Sequence, residues 1–261
     1  MSLTPPAYPT GKDILAGKRV VITAAAGTGI GFATAKRCAE EGATIVISDI
    51  HERRLGEAAE RLSDVCGGKA PDTILCNVTV ESEVQGLVQD AASKLGHIDV
   101  LINNAGLGGT ANVVDMTDEQ WTQVMDITLN GTFRCTRAAL QYMMPRGAGV
   151  IVNNASVLGW RAQKGQAHYA AAKAGVMALT RCAALEAAEA GVRINAVAPS
   201  LAMHPFLSKV TPEALLKELE AKEAFGRAAE TWEVANVMVF LASDYSSYMT
   251  GEVVSVSSQH P

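Results

Sequence analysis

The stretch RVVITAAAGTGIG, residues 19–31, decides how this chain folds. Its first five residues are a β-branched run, which suits a short strand buried on both faces. Glycines at 27, 29 and 31 then break the strand, and a helix is predicted from there to about Glu41. A glycine-rich turn between a strand and a helix lets backbone approach a pyrophosphate, whose charge the helix N-terminus meets. Gly27, Thr28, Gly29, Ile30 and Gly31 are therefore candidate contacts to a dinucleotide. The spacing departs from G-x-G-x-x-G: counted from Gly27, Phe32 stands where a third small residue belongs. By itself the turn is a weak signal. Asp49 closes the next predicted strand, where an acidic residue hydrogen-bonds an adenosine ribose. A carboxylate there repels a 2′-phosphate and favours NAD over NADP, a preference that Arg53 and Arg54 weaken slightly through their affinity for phosphate.

Outward from the turn, short apolar runs alternate with longer helical segments. Strands are predicted at 19–23, 44–49, 73–78, 100–106, 149–156, 192–200 and 252–258. Helices are predicted at 52–62, at 81–95, from about Thr117 to Met144, around Tyr169 and near Trp232. Strands that read as continuous apolar runs, each followed by a helix, imply an α/β fold with a doubly wound, seven-stranded parallel sheet covered on both faces. One dinucleotide-binding domain is expected over 15–261, behind an extended, proline-bearing arm at 1–14. Residues 201–225 exceed the usual strand-to-helix connection and read as a small lid insertion.

Composition narrows the function classes. A net charge of -5 and a pI near 5.6 argue against a nucleic-acid partner. No apolar run approaches a membrane-spanning length, so no membrane partner is expected. The N-terminus lacks the basic-then-apolar layout of a signal peptide. The five cysteines form no CxxC pair and no cluster with histidine, so no metal site is expected and the reading is buried free thiols in a cytoplasmic protein.

A second stretch, NNASVLGWRAQKGQAHYAAAK at 153–173, carries chemistry. Tyr169 and Lys173 are four apart and share a helix face, so phenol and ammonium can approach one another. A neighbouring ammonium favours phenolate and lowers a pKa that is about 10 when unperturbed. Ser156, at the end of a predicted strand, offers a hydroxyl.

With these marks the chain resembles the short-chain dehydrogenase/reductases, at the length typified by 3-oxoacyl carrier-protein reductases. The resemblance runs from Leu15 to Val256 through the glycine turn, Asn103-Asn104-Ala105-Gly106, Ser156, Tyr169-x-x-x-Lys173 and Asn195-Ala196-Val197-Ala198-Pro199. It implies a Rossmann fold and a secondary alcohol–ketone oxidoreductase that uses NAD. Tyr169 is then the general acid/base. Lys173 lowers the tyrosine's pKa and holds the nicotinamide ribose hydroxyls, and Ser156 hydrogen-bonds the substrate oxygen. Asn77, where the family commonly has an aspartate, would touch the adenine with Val78 beside it. Asn104, Ala105 and Gly106 would line the adenosine and ribose, and the backbone near Ala202 would meet the carboxamide. Family members tetramerise, so a homotetramer or homodimer is expected.

Four departures stand against the family pattern. Ala24 replaces the first glycine of a turn that is one residue longer than usual. Thr128-Leu129-Asn130-Gly131 puts Thr128 at the catalytic asparagine position. Asn130 is no substitute, because two residues of α-helix rotate a side chain by about 200°. A threonine hydroxyl can hold the relay water at shorter reach, so the relay is expected in altered form. Pro199-Ser200 replaces Pro-Gly, and His204 stands where a threonine usually contacts the carboxamide. The tail VSVSSQHP does not end in glycines.

The substrate side is read from Leu158, Trp160, Met203, Phe206 and Leu207, which suit a bulky hydrophobic small molecule. His204 reads either as a contact to cofactor or substrate or as an exposed residue of the lid. Arg161, Lys164 and Lys209 are basic groups able to meet coenzyme A phosphates, or else ordinary solvated charges. The turn and the Thr-Leu-Asn-Gly segment resemble actinobacterial members that oxidise hydroxyacyl thioesters, some of them ring fragments from steroid breakdown. Two other readings stand beside this one: a 3-oxoacyl carrier-protein reductase, and a non-catalytic dinucleotide-binding sensor or scaffold.

Overall fold

The computed structural model describes residues 3–205, 207 and 213–258. Phe206, Lys209 and the last three residues of the tail lie outside the described residues. The strands are β1 (Arg19–Ile22), β2 (Thr44–Asp49), β3 (Asp72–Leu75), β4 (Val100–Asn103), β5 (Gly149–Asn154) and β6 (Val192–Pro199). The short pair β7 (Ala202–Met203) and β8 (Ala229–Glu230) follows, and β9 (Val253–Val256) closes the set. The helices are α1 (Ile30–Glu40), α2 (Glu52–Leu62), α3 (Glu81–Leu95), α4 (Asp118–Met125), α5 (Gly131–Met143), α6 (Ala167–Ala188), α7 (Glu213–Lys222) and α8 (Thr231–Ala242).

Seven strands form one parallel sheet in the order β3-β2-β1-β4-β5-β6-β9. Alternation along β1 shows why helices must cover both faces. Val20 and Ile22 join the core built with α1, α2 and α8, while Val21 joins the core built with α3, α5 and α6. A run of consecutive β-branched residues therefore supplies both layers at once. Strand order reverses between β1 and β4, which opens a crevice at the carboxyl ends of those strands. The glycine turn lies there.

Two predicted elements take a different form. The helix expected over 117–144 runs without a gap through α4 and α5 but carries a π-helical turn at Asp126–Asn130, in which the Gly131 N–H donates to the Asp126 carbonyl five residues back. The extra residue turns Thr128 fully inward. Gly131 follows because a β-carbon there would lie 2.7 Å from Val78 Cγ2. The third strand stops at Leu75, short of the predicted 78. Asn77 Oδ1 accepts from the Thr79 N–H and hydroxyl at 3.0 and 2.9 Å, turning the chain into α3. Of the cysteines expected to be buried free thiols, all are free, with Cys38, Cys76 and Cys135 buried, Cys66 half-buried and Cys182 exposed.

The N-terminal arm is tied down by a buried charge. Arg37 on α1 is 3% exposed, pairs with Glu40 and Glu41, and donates to the Pro9 carbonyl at 3.2 Å. Glu41 Oε2 in turn accepts from the Lys12 and Ile14 N–H groups at 2.8 and 3.3 Å. Tyr8 packs edge-on against Trp232 of α8 at 5.4 Å, and the Leu3 N–H reaches the Phe225 carbonyl at 2.8 Å.

Ala24 holds φ at 52°, in the left-handed region that disfavours a side chain. Its carbonyl is fixed there by Asn104 Nδ2 at 3.1 Å, and the next N–H, on Ala25, donates to the Ser48 carbonyl at 3.0 Å. An Ala24→Gly chain is expected to be more stable by about 1 kcal/mol, read as a higher Tm in thermal denaturation. An unchanged Tm would show that the turn carries no such strain.

Candidate functional site

The dinucleotide end is built by α1 and the turn before it. No side chain caps α1, and its first turn carries no acidic residue. Its leading N–H groups therefore stay available to an anion. A β-carbon on Gly31 would lie 2.3 Å from the Ala24 carbonyl oxygen and 2.4 Å from Asn104 Nδ2, so only glycine fits. At Gly27 and Gly29 a β-carbon would meet nothing nearer than 3.8 Å, so those two leave the backbone open rather than pack it. The side chain nearest Gly29 is His204, which places that histidine over the turn, with the Leu207 N–H donating to its Nδ1 at 3.3 Å. Burial lowers the His204 pKa.

Asp49 closes β2, and its carboxylate accepts from the Ala26 and His51 N–H groups at 3.2 and 3.1 Å. Burial raises its pKa, an effect that the Ala26 bond and the charge of Arg54 partly offset. Arg53 pairs with Glu57 at 2.6 Å on the open face of α2. Arg61 is the guanidinium that reaches the turn, 3.4 Å from the Gly27 carbonyl and stacked 4.0 Å over Phe32. Nothing in the local sequence marks Arg61, because its approach depends on how α2 packs beside α1.

Asn77 spends its side-chain oxygen on Thr79, and Val78 packs into the core against Gly131. Asn104 and Ala105 both donate their N–H to Thr23 Oγ1, at 3.0 and 3.2 Å, which holds the end of β4 against β1. Gly106 lies against Lys173, where a β-carbon would come within 3.4 Å of Nζ. Ala202 is buried in the β7–β8 pair.

Ser156, Tyr169 and Lys173 converge beside this crevice. Ser156 leaves β5 in extended backbone and accepts from the Leu158 N–H at 3.2 Å, which starts a 3-10 turn at 157–159. Gly159 allows that turn to sit on α6, since a β-carbon would lie 2.6 Å from Met177 Cε. The Lys173 ammonium donates to the Asn154 carbonyl at 2.5 Å and sits 5.5 Å from the Tyr169 ring centre. Thr128 puts its hydroxyl to a use the sequence does not reveal. It accepts from the Leu107 N–H at 2.9 Å and donates to the Leu107 carbonyl at 3.1 Å. Its one proton is thereby committed to the loop after β4. Asn130 points outward and bonds Asp126 at 3.1 Å, as expected of a residue on the far side of the helix.

Electrostatics at this site differ from the expectation for the tyrosine. Burial pushes the Tyr169 phenol up to about 12, and the Ser156 hydroxyl pulls it back only in part. Burial also brings Lys173 down to about 8. Both shifts have one cause: an enclosed site disfavours the charged form of either group. The net direction for the tyrosine is upward, where a lowered pKa was expected.

Toward the substrate side, Leu158 and Arg161 are half-buried, Trp160 is 51% exposed and Lys164 is exposed. Met203 is half-buried in β7. Two further polar side chains belong here. His168, 2% exposed beside Tyr169, packs its Nε2 where a Gly109 β-carbon would be 3.1 Å away, and its Nδ1 has no partner among the described residues. Asn154, at the last position of β5, likewise has an unpartnered Oδ1 among them. A polar residue ending an otherwise apolar strand is the sequence signal for Asn154; His168 offers none. The described residues hold no group of three or more His, Cys, Asp or Glu able to take a metal, and no helix among them is long and apolar enough to cross a membrane.

The Lys173 shift has a measurable sign. Its folded pKa, about 8, lies below the 10.5 of a free lysine, so the folded state is penalised for holding the ammonium at every pH below 8. Between those two values the unfolded chain keeps its proton while the folded one releases it, so stability rises with pH. Lys173→Met is expected to raise Tm by a few degrees at pH 7, with the gain over the unsubstituted chain shrinking toward pH 10. A gain that grows with pH would contradict the assigned burial.

Comparisons with known proteins give the chain its family. The sequence profile of the family described as Enoyl-(Acyl carrier protein) reductase matches residues 24–258. A Mycobacterium tuberculosis protein named (5R,7aS)-5-hydroxy-7a-methyl-1-oxo-2,3,5,6,7,7a-hexahydro-1H-indene-carboxyl-CoA reductase is 62% identical over 253 residues, 96% of either chain. A 3-oxoacyl-(acyl-carrier-protein) reductase of Thermotoga maritima is 39% identical over 242 residues, covering 93% of this chain and 97% of its own. The crystal structure of a short chain dehydrogenase from Mycobacterium smegmatis superposes with a TM-score of 0.88 at 56% identity, over 99% of each chain. With its seven-stranded sheet, its glycine turn and these relatives, the chain belongs to the short-chain dehydrogenase/reductase family of nicotinamide-dinucleotide oxidoreductases.

Proposed function

We propose that this enzyme interconverts a ring alcohol and its ketone on a coenzyme A thioester with a hydrophobic fused-ring acyl group, using NAD. The observation that carries the reading is the convergence of Ser156, Tyr169 and Lys173 beside an uncapped helix N-terminus. The M. tuberculosis relative, a reductase of an indene-carboxyl-CoA by name, supports the substrate class. Leu158, Trp160 and Met203 offer apolar surface for rings, and Arg161 and Lys164 offer charge for the coenzyme's phosphates. The open backbone at Gly27 and Gly29, the uncapped start of α1, and the Asp49 carboxylate fit a dinucleotide without a 2′-phosphate.

In this reading Ser156 donates a hydrogen bond to the substrate oxygen and Tyr169 exchanges a proton with it. A phenol raised to about 12 stays protonated at neutral pH, so it has a proton to give in ketone reduction, as a weaker acid than a free tyrosine until positive charge comes close. Alcohol oxidation needs the phenolate, so positive charge must be brought close to it; the Lys173 ammonium is one source. A dinucleotide held by the turn at 27–31 and by Lys173 would supply or accept the hydride and, in its oxidised form, would add a second positive charge. Thr128 holds the Leu107 loop over Lys173, and the described part of the lid segment puts His204 against the turn. Trp121, Phe133, Leu185 and Tyr248 are exposed at 41, 42, 76 and 104%, apolar surface that a homodimer or homotetramer would cover. A cytoplasmic location suits the unpaired cysteines.

The decisive measurement is reduced-nicotinamide absorbance with hydroxy and keto fused-ring coenzyme A thioesters, the free acids and 3-oxoacyl carrier-protein thioesters. Turnover is expected with the ring thioesters and to fall at least a thousandfold in Tyr169→Phe. Oxidation should rise from pH 7 to 10 while reduction does not. Preference for the carrier-protein thioesters with NADPH would favour the biosynthetic reductase, and dinucleotide binding without Tyr169-dependent turnover would favour a sensor or scaffold. Asp49→Ser is expected to move the NAD-to-NADP ratio of kcat/KM at least tenfold toward NADP. No movement would remove Asp49 from cofactor choice.

A further inference from the structure

The Asn154 amide is oriented by a chain of hydrogen bonds that leaves one acceptor over. The Ala24 carbonyl can only accept, so Asn104 must present Nδ2 to it, at 3.1 Å. Asn104 Oδ1 then faces Asn154 and takes a hydrogen bond from Asn154 Nδ2 at 2.9 Å. Asn154 Oδ1 is thereby turned away from both, with no partner among the described residues and no exposure to water. A buried acceptor in that state costs about 1–3 kcal/mol. The residue as a whole is only half-buried and stands at the carboxyl edge of the sheet, where β5 ends beside the crevice.

Its place along the crevice identifies the missing donor. On one side, Asn154 is joined through Asn104 to the turn and to the start of α1, where phosphates would bind. On the other, its own carbonyl holds the Lys173 ammonium at 2.5 Å. Between the phosphates and the hydride-transferring ring of a nicotinamide dinucleotide lies one chemical unit, a ribose. Phosphates offer only acceptors, whereas a ribose offers hydroxyl donors. We infer that Asn154 Oδ1 accepts a hydrogen bond from a hydroxyl of the nicotinamide-side ribose, making Asn154 a binding residue beside Lys173. The inference rests on the dinucleotide reading of the crevice.

Binding alone tests it, by isothermal titration of AMP, ADP-ribose and NAD against the intact protein and Asn154→Leu. AMP lacks the second ribose; ADP-ribose keeps that ribose and lacks the ring. The substitution is expected to weaken ADP-ribose and NAD alike by about five- to tenfold, with AMP changed less than twofold. Asn154→Ser, which also removes the amide, should give the same pattern and serves if the leucine variant does not fold. Loss confined to NAD would make the carboxamide the donor and overturn the ribose assignment. A parallel loss of AMP would mean that Asn154 acts through the turn, and unchanged affinity for all three would mean that the acceptor is unused; both overturn the inference. Failure of the unsubstituted protein to bind AMP or NAD would instead overturn the dinucleotide reading itself.

Discussion

The junction of Gly31 with Ala24 and Asn104 holds the site together. The carbonyl of Ala24 lies so close to Gly31 that a β-carbon would stand 2.3 Å from it, and Asn104 Nδ2 closes the same space. That approach brings the first turn of α1 against the ends of β1 and β4, at the point where strand order reverses. It sets where the helix N-terminus points, it holds Ala24 at a positive φ, and it orients Asn104 and then Asn154. A larger residue at 31 would displace each of these in turn.

The proton-transfer end follows another constraint, the enclosure of two ionisable groups. Lys173 is buried and Tyr169 half-buried, so the chain alone favours phenol and weakens the hold on the ammonium. The Asn154 carbonyl partly replaces that lost solvation. A tyrosine in this condition is poised to give up a proton only when a partner charge arrives, which ties acid–base behaviour to what is bound. The same residue, Asn154, touches both constraints: its backbone serves Lys173 and its side chain continues the chain from the turn.

Much of this architecture was legible in sequence because it rests on local patterns. The β2 strand and the helices over 52–62 and 81–95 follow from apolar period and length, and the structure has them at those bounds. Parallel order follows from strands too apolar to face water on either side. The central helix runs where it is expected, but its π turn carries no mark in composition; the turn arises where Thr128 faces inward to bond Leu107. The third strand was read too long because Asn77, polar but flanked by apolar residues, acts as a turn former. The lowered tyrosine pKa failed for a related reason. Spacing shows that an ammonium is near, but not how much solvent both groups lose.

By itself the sequence determined that this is a seven-stranded α/β chain with a glycine turn and a Ser-Tyr-Lys set. Those depend on periodicity and on motifs whose residues must occur in that order. Only the tertiary structure decided that Thr128 is spent on Leu107, that His204 lies on Gly29, that Arg61 reaches the turn and that Asn154 keeps an unused acceptor. Each of these is a contact between segments distant in the chain, and its distance and direction are set by packing that no local pattern encodes.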